Sequence, residues 1–164
     1  MRRGPWPTGQ TLLIGSFKGR STCCLAAGCR GSQKRVFAID SFDGGSDLPN
    51  VNSFPDFSKN LERCNVSAYV EPAVGLSSKM AQTWCKPIHM LFIDGSHAYE
   101  GVLADFAGFS RHVVPGGIVA LHDVRDESWP GVARAWAEIK AQLTEIGYSD
   151  TLGFGRKPES KAHS

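Results

Sequence analysis

Short apolar runs rich in β-branched residues alternate along this chain with longer segments of helical spacing, and no other sequence feature constrains the fold as strongly. We predict strands at 11–15, 35–40, 67–71, 88–94, 118–122 and 151–155. Between them, the apolar spacing predicts helices at 23–28, 56–64, 77–84, 98–112 and 129–146. This alternation is typical of β-α-β units. The sequence therefore predicts an α/β fold with a doubly wound, mostly parallel sheet and helices on both faces.

The length and charge of the chain limit its organisation and its partners. With 164 residues, 41% of them hydrophobic, we predict one domain over 1–164 with flexible ends at 1–10 and 158–164. The 18 basic and 16 acidic side chains leave a net charge of +2, which favours neither a nucleic acid nor a membrane surface as partner. No apolar run approaches the roughly 20 residues that span a bilayer. Five cysteines without a C-x-x-C pair are typical of free thiols, and we expect a cytoplasmic protein.

Polar residues follow four of the predicted strands at the point where each strand ends. The first strand leads into Gly15, the second ends in Asp40, the fourth in Asp94, and the fifth in His122 and Asp123. In an open parallel sheet, ligands bind beyond the carboxyl ends of the strands, where the strand order reverses. We therefore expect these residues to form a ligand site.

The first two of these strand ends favour a ligand that contains a nucleoside. Gly15 and Gly19 would let the backbone approach a ligand, and the following helix start offers free N–H groups to an anion. The turn is neither G-x-G-x-x-G nor G-x-x-x-x-G-K-[ST], which disfavours a dinucleotide or nucleoside-triphosphate fold. Asp40 lies 25 residues after Gly15, close to the ~20-residue offset of acids that bind ribose hydroxyls. The alternatives are a plain glycine turn and an Asp-initiated turn at Asp40.

The last two strand ends predict a metal site. His122 and Asp123 follow Asp94 by 28 and 29 positions, the length of one β-α-β crossover. If the two strands are neighbours, a right-handed crossover brings these side chains to one sheet edge, where they suit a divalent ion. His97, three residues after Asp94, would accept a proton near neutral pH. The alternatives are an Asx turn at Asp94, a helix cap at Asp123 and a solvated His97.

Four segments of the chain together resemble a known family. They are LLIGSFKGRSTCCLA at 12–26, VFAIDSFDG at 36–44, MLFIDGSHAYEGVLADF at 90–106 and VVPGGIVALHDV at 113–124. They look like class I S-adenosylmethionine-dependent methyltransferases, most of all the group of sugar and macrolide O-methyltransferases and the proteins named cephalosporin hydroxylase. The resemblance covers about 11–157. It implies a Rossmann-like fold and an enzyme that methylates a hydroxyl of a small molecule or sugar.

The resemblance also implies roles for single residues. The glycine turn would meet the methionine part of the cofactor, Asp40 its ribose, and the segment after the third strand its adenine. The cofactor-binding residues would be Gly15, Ser16, Gly19, Ser21, Thr22, Asp40, Gly75, Ser77 and Asp94. The ligands for magnesium or another divalent cation would be Asp94, His122 and Asp123. The catalytic residues would be Asp94 and His97, with His97 as the general base.

Two residues depart from the family pattern and keep a second hypothesis open. Leu13 stands where relatives carry an acidic residue, and His122 replaces an acidic metal ligand of some relatives. Imidazole is a poorer ligand for magnesium than a carboxylate. Together with the short segment before the first strand, they permit a catalytically silent domain that only binds a nucleoside cofactor. A nicotinamide-dependent oxidoreductase is a further alternative, which the missing G-x-G-x-x-G disfavours. A homo-oligomer is compatible with the sequence.

Overall fold

The structure is a computed structural model that describes residues 9–44 and 50–159. The strands are β1 (Gln10–Ile14), β2 (Val36–Asp40), β3 (Val70–Val74), β4 (Ile88–Ile93), β5 (Val113–Leu121), β6 (Thr144–Ser149) and β7 (Leu152–Arg156). The helices are α1 (Arg20–Ala27), α2 (Phe54–Arg63), α3 (Ser77–Thr83), α4 (Tyr99–Phe109) and α5 (Pro130–Lys140). None of these helices has the length and apolar composition needed to cross a membrane. Of the predicted flexible ends, 1–8 and 160–164 lie outside the described residues.

Within the described ranges, seven strands form one sheet in the order β3-β2-β1-β4-β5-β7-β6. β1 pairs in parallel with β2 and with β4, and parallel pairing continues to β3 on one side and to β5 on the other. β7 runs antiparallel to β5, and β6 runs antiparallel to β7. The strand order reverses between β1 and β4, which is where open α/β sheets bind ligands. The predicted α/β, Rossmann-like and mostly parallel architecture is confirmed.

Two hydrophobic cores lie on opposite faces of the sheet. Successive side chains of a strand point to opposite faces, so the fully buried Leu12 and Leu13 belong to different cores. Helices α4 and α5 cover the face of Leu12 and contribute Phe109 and Trp136 to its core. Helices α1 and α2 cover the face of Leu13, with Phe57 fully buried there. Because both faces are covered, the central strands are continuous apolar runs rather than alternating ones.

The helix predicted over 129–146 is wrong in its second half. α5 ends at Lys140, and Thr144–Ser149 forms the edge strand β6. Leu143 and Ile146 continue the helical spacing of α5, but they pack over Gly155 of β7. A Cβ added to Gly155 would lie 3.0 Å from Leu143 Cβ and 2.7 Å from Ile146 Cδ1. The two apolar side chains that the helical pattern assigned to α5 therefore pack on the β6–β7 hairpin, where Leu143 is partly buried and Ile146 stays 39% exposed.

Other boundaries also differ from the sequence prediction, and three of the differences have a visible cause. The strand predicted at 67–71 lies at Val70–Val74, because 67–69 form a 3-10 turn. β5 begins at 113 rather than 118, since 110–112 form a second 3-10 turn and the following Pro-Gly-Gly segment joins the strand. The register of β5 against β4 shifts in this segment. α1 begins at Arg20 rather than at 23, and its N-cap is Gly19, which offers no side-chain cap.

Candidate active site

The turn after β1 lies directly against the loop after β4. Gly15 has a φ of +85°, in the left-handed region that favours glycine. A Cβ added to Gly15 would collide with the backbone carbonyl of Asp94. Sheet hydrogen bonds continue up to this contact. Gly15 donates its N–H to the Ile39 carbonyl at 3.0 Å, and Asp94 donates its N–H to the Ile14 carbonyl at 2.8 Å. Only glycine fits at this position, so the turn and Asp94 are held together.

The Asp40 carboxylate joins the end of β2 to the same turn. Its Oδ2 accepts the N–H of Phe17 at 2.7 Å, and its Oδ1 accepts the N–H of Phe42 at 2.6 Å. The bond to Phe42 closes an Asp-initiated turn, which the sequence offered as an alternative to a ligand role for Asp40. Asp40 makes this bond and the bond to Phe17 at the same time. Each carboxylate oxygen keeps a further lone pair. Asp40 can therefore accept hydrogen bonds from hydroxyl groups while it holds the glycine turn in place.

Three more of the predicted cofactor residues make polar contacts at this edge of the sheet. Gly75 follows β3 and donates its N–H to the Asp40 carbonyl at 2.8 Å. The Ser21 hydroxyl, in the first turn of α1, lies 3.4 Å from Asp94 Oδ2 and donates to it. The Ser77 hydroxyl donates instead to Asp105 Oδ1 at 2.6 Å. The structure thus brings Gly75 and Ser21 to the predicted site and engages Ser77 in a bond to α4.

Ser16 and Thr22 carry buried hydroxyls. Ser16 is 4% exposed in the glycine turn, and Thr22 is fully buried in α1. Neither side-chain oxygen has a hydrogen-bond partner among the described residues. A buried hydroxyl left in that state costs about 1–3 kcal/mol. A polar ligand group seated on the turn would remove this cost for Ser16, which is the residue of the pair that lies within the turn.

Asp94, His122 and Asp123 form a cluster at the ends of β4 and β5. Each offers one ligand atom, and these atoms all lie within 4.8 Å of one another. His122 Nδ1 is 2.7 Å from Asp123 Oδ1 and 3.5 Å from Asp94 Oδ1. The parallel pairing of β4 with β5 produces this arrangement, as the crossover argument predicted. The alternative of a helix cap at Asp123 is wrong, because α5 begins only at Pro130.

Burial and neighbouring charges shift the pKa values of this cluster. Burial raises the pKa of Asp94 to about 6, against an opposing effect of His122. Burial lowers the pKa of His122, but the hydrogen bond to Asp123 and the two carboxylates outweigh it, and the net pKa is raised. A bound cation would displace the proton that His122 holds between these carboxylates. Two carboxylates and one imidazole fit a divalent cation, and the imidazole suits a borderline ion such as Mn²⁺ better than Mg²⁺.

His97 extends the cluster through Asp123. Its Nε2 lies 3.3 Å from Asp123 Oδ2, and its side chain is 22% exposed. The imidazole stacks on the indole of Trp129 with ring centroids 4.0 Å apart and an interplanar angle of 15°. These contacts contradict the alternative of a solvated histidine. Asp123 therefore lies between two imidazoles, those of His97 and His122.

Two residues at the site, Asp105 and Trp129, were not predicted from the sequence. Asp105 in α4 is 7% exposed, although it carries a carboxyl group. It follows the buried Val102 by three positions, and that spacing was the available signal for the inner face of α4. Trp129 lies 32 positions after His97, and no local pattern links the two residues. Their contact exists only in the folded chain.

The sequence of this chain is similar to those of known methyltransferases. A methyltransferase domain family matches residues 12–124, which is well over half of the chain and includes all of the predicted site residues. The chain belongs to this methyltransferase domain family. Demethylmacrocin O-methyltransferase from Streptomyces fradiae is 32% identical to it over 82 residues, which make up 48% of this chain and 21% of that relative. The matched segment is therefore a small part of the relative's length.

Solved structures share the fold at low sequence identity. The O-methyltransferase NovP has a TM-score of 0.76 at 18% identity, over 93% of this chain and 73% of that chain. The MycE methyltransferase of the mycinamycin biosynthetic pathway, solved in complex with Mg and SAH, has a TM-score of 0.62 at 16% identity. That match covers 95% of this chain and 47% of the other. At these identities the likeness concerns the fold.

The Ser77–Asp105 hydrogen bond predicts a pH-dependent contribution to stability. Burial raises the pKa of Asp105, and the Ser77 hydroxyl opposes that rise. A carboxyl with a raised folded pKa stabilises the fold below its unfolded pKa of about 3.9, and this contribution is lost as the pH rises through the folded pKa. Removing the hydroxyl raises the folded pKa further. Ser77→Ala should therefore lower the free energy of unfolding by about 1.5–3 kcal/mol at pH 7, and by less at pH 4.

Urea unfolding at both pH values measures this difference. The same Ser77→Ala change in an Asp105→Asn background is the matched control, since its cost should then be independent of pH. An equal pH dependence in both backgrounds would show that Asp105 is not the group that Ser77 stabilises.

Proposed function

We propose that this chain is an S-adenosylmethionine-dependent O-methyltransferase domain that acts on a hydroxyl of a small molecule or sugar. The observation that carries the proposal is the contact between the glycine turn and the acidic cluster. Gly15 packs on the Asp94 carbonyl, and the Ser21 hydroxyl bonds to the Asp94 carboxylate at 3.4 Å. A methyl donor held on the turn would therefore lie beside an acceptor held at the cluster. Family membership and the O-methyltransferases among the similar proteins support the same activity.

The donor would lie across the ends of β1, β2 and β3. Asp40 would accept hydrogen bonds from the ribose hydroxyls with the lone pairs that Phe17 and Phe42 leave. The buried Ser16 hydroxyl would gain a partner from the methionine part. Val74 and Leu76, 60% and 53% exposed on either side of Gly75, present apolar surface that an adenine ring would cover.

S-adenosylmethionine supplies a methyl group already activated on a sulfonium, so the chain's main task is alignment. When bound, it would give its methyl carbon to the acceptor oxygen, and the sulfur would leave with the electron pair of the broken carbon–sulfur bond as a neutral thioether. The hydroxyl proton passes to His97. Asp123, 3.3 Å from His97 Nε2, would orient the imidazole toward the acceptor. Asp123 then stabilises the imidazolium that forms.

Asp94, His122 and Asp123 would hold a divalent cation next to the acceptor. Such a cation lowers the pKa of a bound hydroxyl and fixes its position. The three side chains supply three ligand atoms and leave positions for the acceptor oxygen and water. Their mixed oxygen and nitrogen donors favour Mn²⁺ or a similar ion over Mg²⁺.

A second candidate is a catalytically silent domain that binds the cofactor alone. The observation that favours it is the contact of His122 Nδ1 with both carboxylates, which satisfies the cluster without a cation. Methyl transfer to any hydroxyl acceptor separates the two candidates. The predictions of a cytoplasmic location, a homo-oligomer and a single domain stay predictions.

Substitution of Asp40 tests the proposed cofactor site. Asp40→Ala should weaken S-adenosylhomocysteine binding by about 1.5–3 kcal/mol, because charge-assisted hydrogen bonds to the ribose are lost. Isothermal calorimetry measures the change. Glu71→Ala is the control, since Glu71 is exposed on β3 and pairs with Lys86. Unchanged affinity in a folded Asp40→Ala variant would exclude Asp40 as a ribose ligand.

Metal removal and substitution of His122 test the proposed metal site. Chelation should abolish methyl transfer, and Mn²⁺ should restore it at lower concentration than Mg²⁺. His122→Glu should reverse that order, because it replaces the imidazole with a third carboxylate, which suits Mg²⁺. Activity titrations with each ion measure the preference. Full activity of the wild-type chain in metal-free buffer would leave the cluster without a metal role.

Substitution of His97 tests its proposed role as general base. His97→Ala should lower kcat at least ~100-fold while the affinity for S-adenosylhomocysteine stays nearly constant, since positioned proton transfer contributes about 10²–10⁴-fold. Steady-state kinetics with a hydroxyl acceptor give kcat. His112→Ala, which changes a histidine in the 3-10 turn before β5, is the control. A His97→Ala variant that retains most of its kcat would remove His97 from the mechanism.

A further inference from the structure

We propose that Trp129 is a positioning residue that fixes the plane of the His97 imidazole for proton transfer. The inference rests on the proposed methyltransferase function and adds a residue to it. Its basis is the stacked pair of rings, whose centroids are 4.0 Å apart and whose planes are 15° from parallel. A stack of this kind leaves the imidazole free to slide or turn within its own plane but resists tilting.

Asp123 restricts the motion that the stack leaves free. The His97 Nε2 to Asp123 Oδ2 contact of 3.3 Å limits rotation of the imidazole within its plane. The stack and the contact with Asp123 therefore act on different degrees of freedom of one side chain. A base whose reactive nitrogen must reach an acceptor hydroxyl needs both, because a misplacement of 1 Å costs about 10²-fold in rate.

The backbone around Trp129 is itself held in place. Trp129 donates its N–H to the Asp126 carbonyl at 3.0 Å and accepts the N–H of Val132 at 3.0 Å. Pro130 occupies the first turn of α5, where its restricted φ suits a helix start. The turn thus fixes the backbone from which the indole reaches His97.

Gly131 brings this turn against the backbone of His97. A Cβ added to Gly131 would lie 2.7 Å from the His97 carbonyl oxygen and 2.8 Å from the Tyr99 nitrogen. Any larger residue would push the start of α5 away and separate the two rings. The close approach of the backbones explains how residues 32 positions apart in sequence come into ring contact.

A separate set of contacts fastens α5 to α4. The Tyr99 hydroxyl donates to Glu138 Oε1 at 2.6 Å, and the Arg134 guanidinium lies 3.9 Å from the Tyr99 ring centroid. Val132 and Ile139 are buried in the core that also holds Phe106 of α4. These contacts do not use the Trp129 indole. We therefore expect a chain that lacks the indole to keep its fold.

The test is Trp129→Leu in the full chain, assayed for methyl transfer to a hydroxyl acceptor. We expect kcat to fall about 10- to 100-fold, with the affinity for S-adenosylhomocysteine unchanged and most of kcat recovered in Trp129→Phe, which keeps a flat ring. Trp84→Leu is the matched control. Trp84 packs on Phe37 and Phe109, away from His97, so its loss should lower stability without lowering kcat. Trp129→Met is a second variant if Trp129→Leu does not fold.

Proton NMR of the His97 ring gives a readout independent of turnover. The indole ring current should displace the imidazole proton signals of the wild-type chain, assigned by their absence in His97→Ala, and Trp129→Leu should abolish the displacement. Equal kcat in wild type and Trp129→Leu, or equal losses in Trp129→Leu and Trp84→Leu, would overturn the proposal. No methyl transfer by the wild-type chain would instead count against the proposed function, and a wild-type His97 signal without displacement would show that the stack does not form in solution.

Discussion

The contact between Gly15 and the Asp94 carbonyl determines how the rest of the site is arranged. Parallel pairing of β1 with β4 brings their carboxyl ends level, and the missing side chain at Gly15 lets the two loops touch. The proposed donor side of the site, on the turn and Asp40, thereby lies next to the proposed acceptor side, at Asp94. A side chain at Gly15 would force the two apart, because the neighbour is backbone and cannot move aside.

Asp123 is the second constraint on the chemistry. It contacts His122 through Oδ1 at 2.7 Å and His97 through Oδ2 at 3.3 Å, and so it connects the proposed metal ligands to the proposed general base. The two imidazoles share one carboxylate. A cation that displaces the proton on His122 would weaken that ion pair and leave Asp123 shared between the cation and His97. In the proposed mechanism, metal binding and the state of the base would therefore be coupled through one side chain.

The site is assembled from residues that the alternation of strands and helices places at one sheet edge, and this part was predictable. Asp40, Asp94, His122 and Asp123 were identified because a residue at the carboxyl end of a parallel strand faces the switch point whatever the details of packing. The error in α5 has the opposite cause. Leu143 and Ile146 satisfy a helical period, but in the folded chain they lie against Gly155 of β7, which has no side chain to keep them away. Local periodicity carries no information about that contact.

Sequence alone determined the α/β class, the polar residues at the strand ends and the 28- and 29-residue separations that place the three cluster residues on neighbouring strands. These follow from backbone periodicity and the handedness of the crossover, which are local properties. Only the tertiary structure decided that Trp129 covers His97, that Ser77 bonds to a buried Asp105, and that His122 lies between two carboxylates. Those contacts join side chains from separate elements, and their distances depend on how helices and strands pack, which no local pattern records.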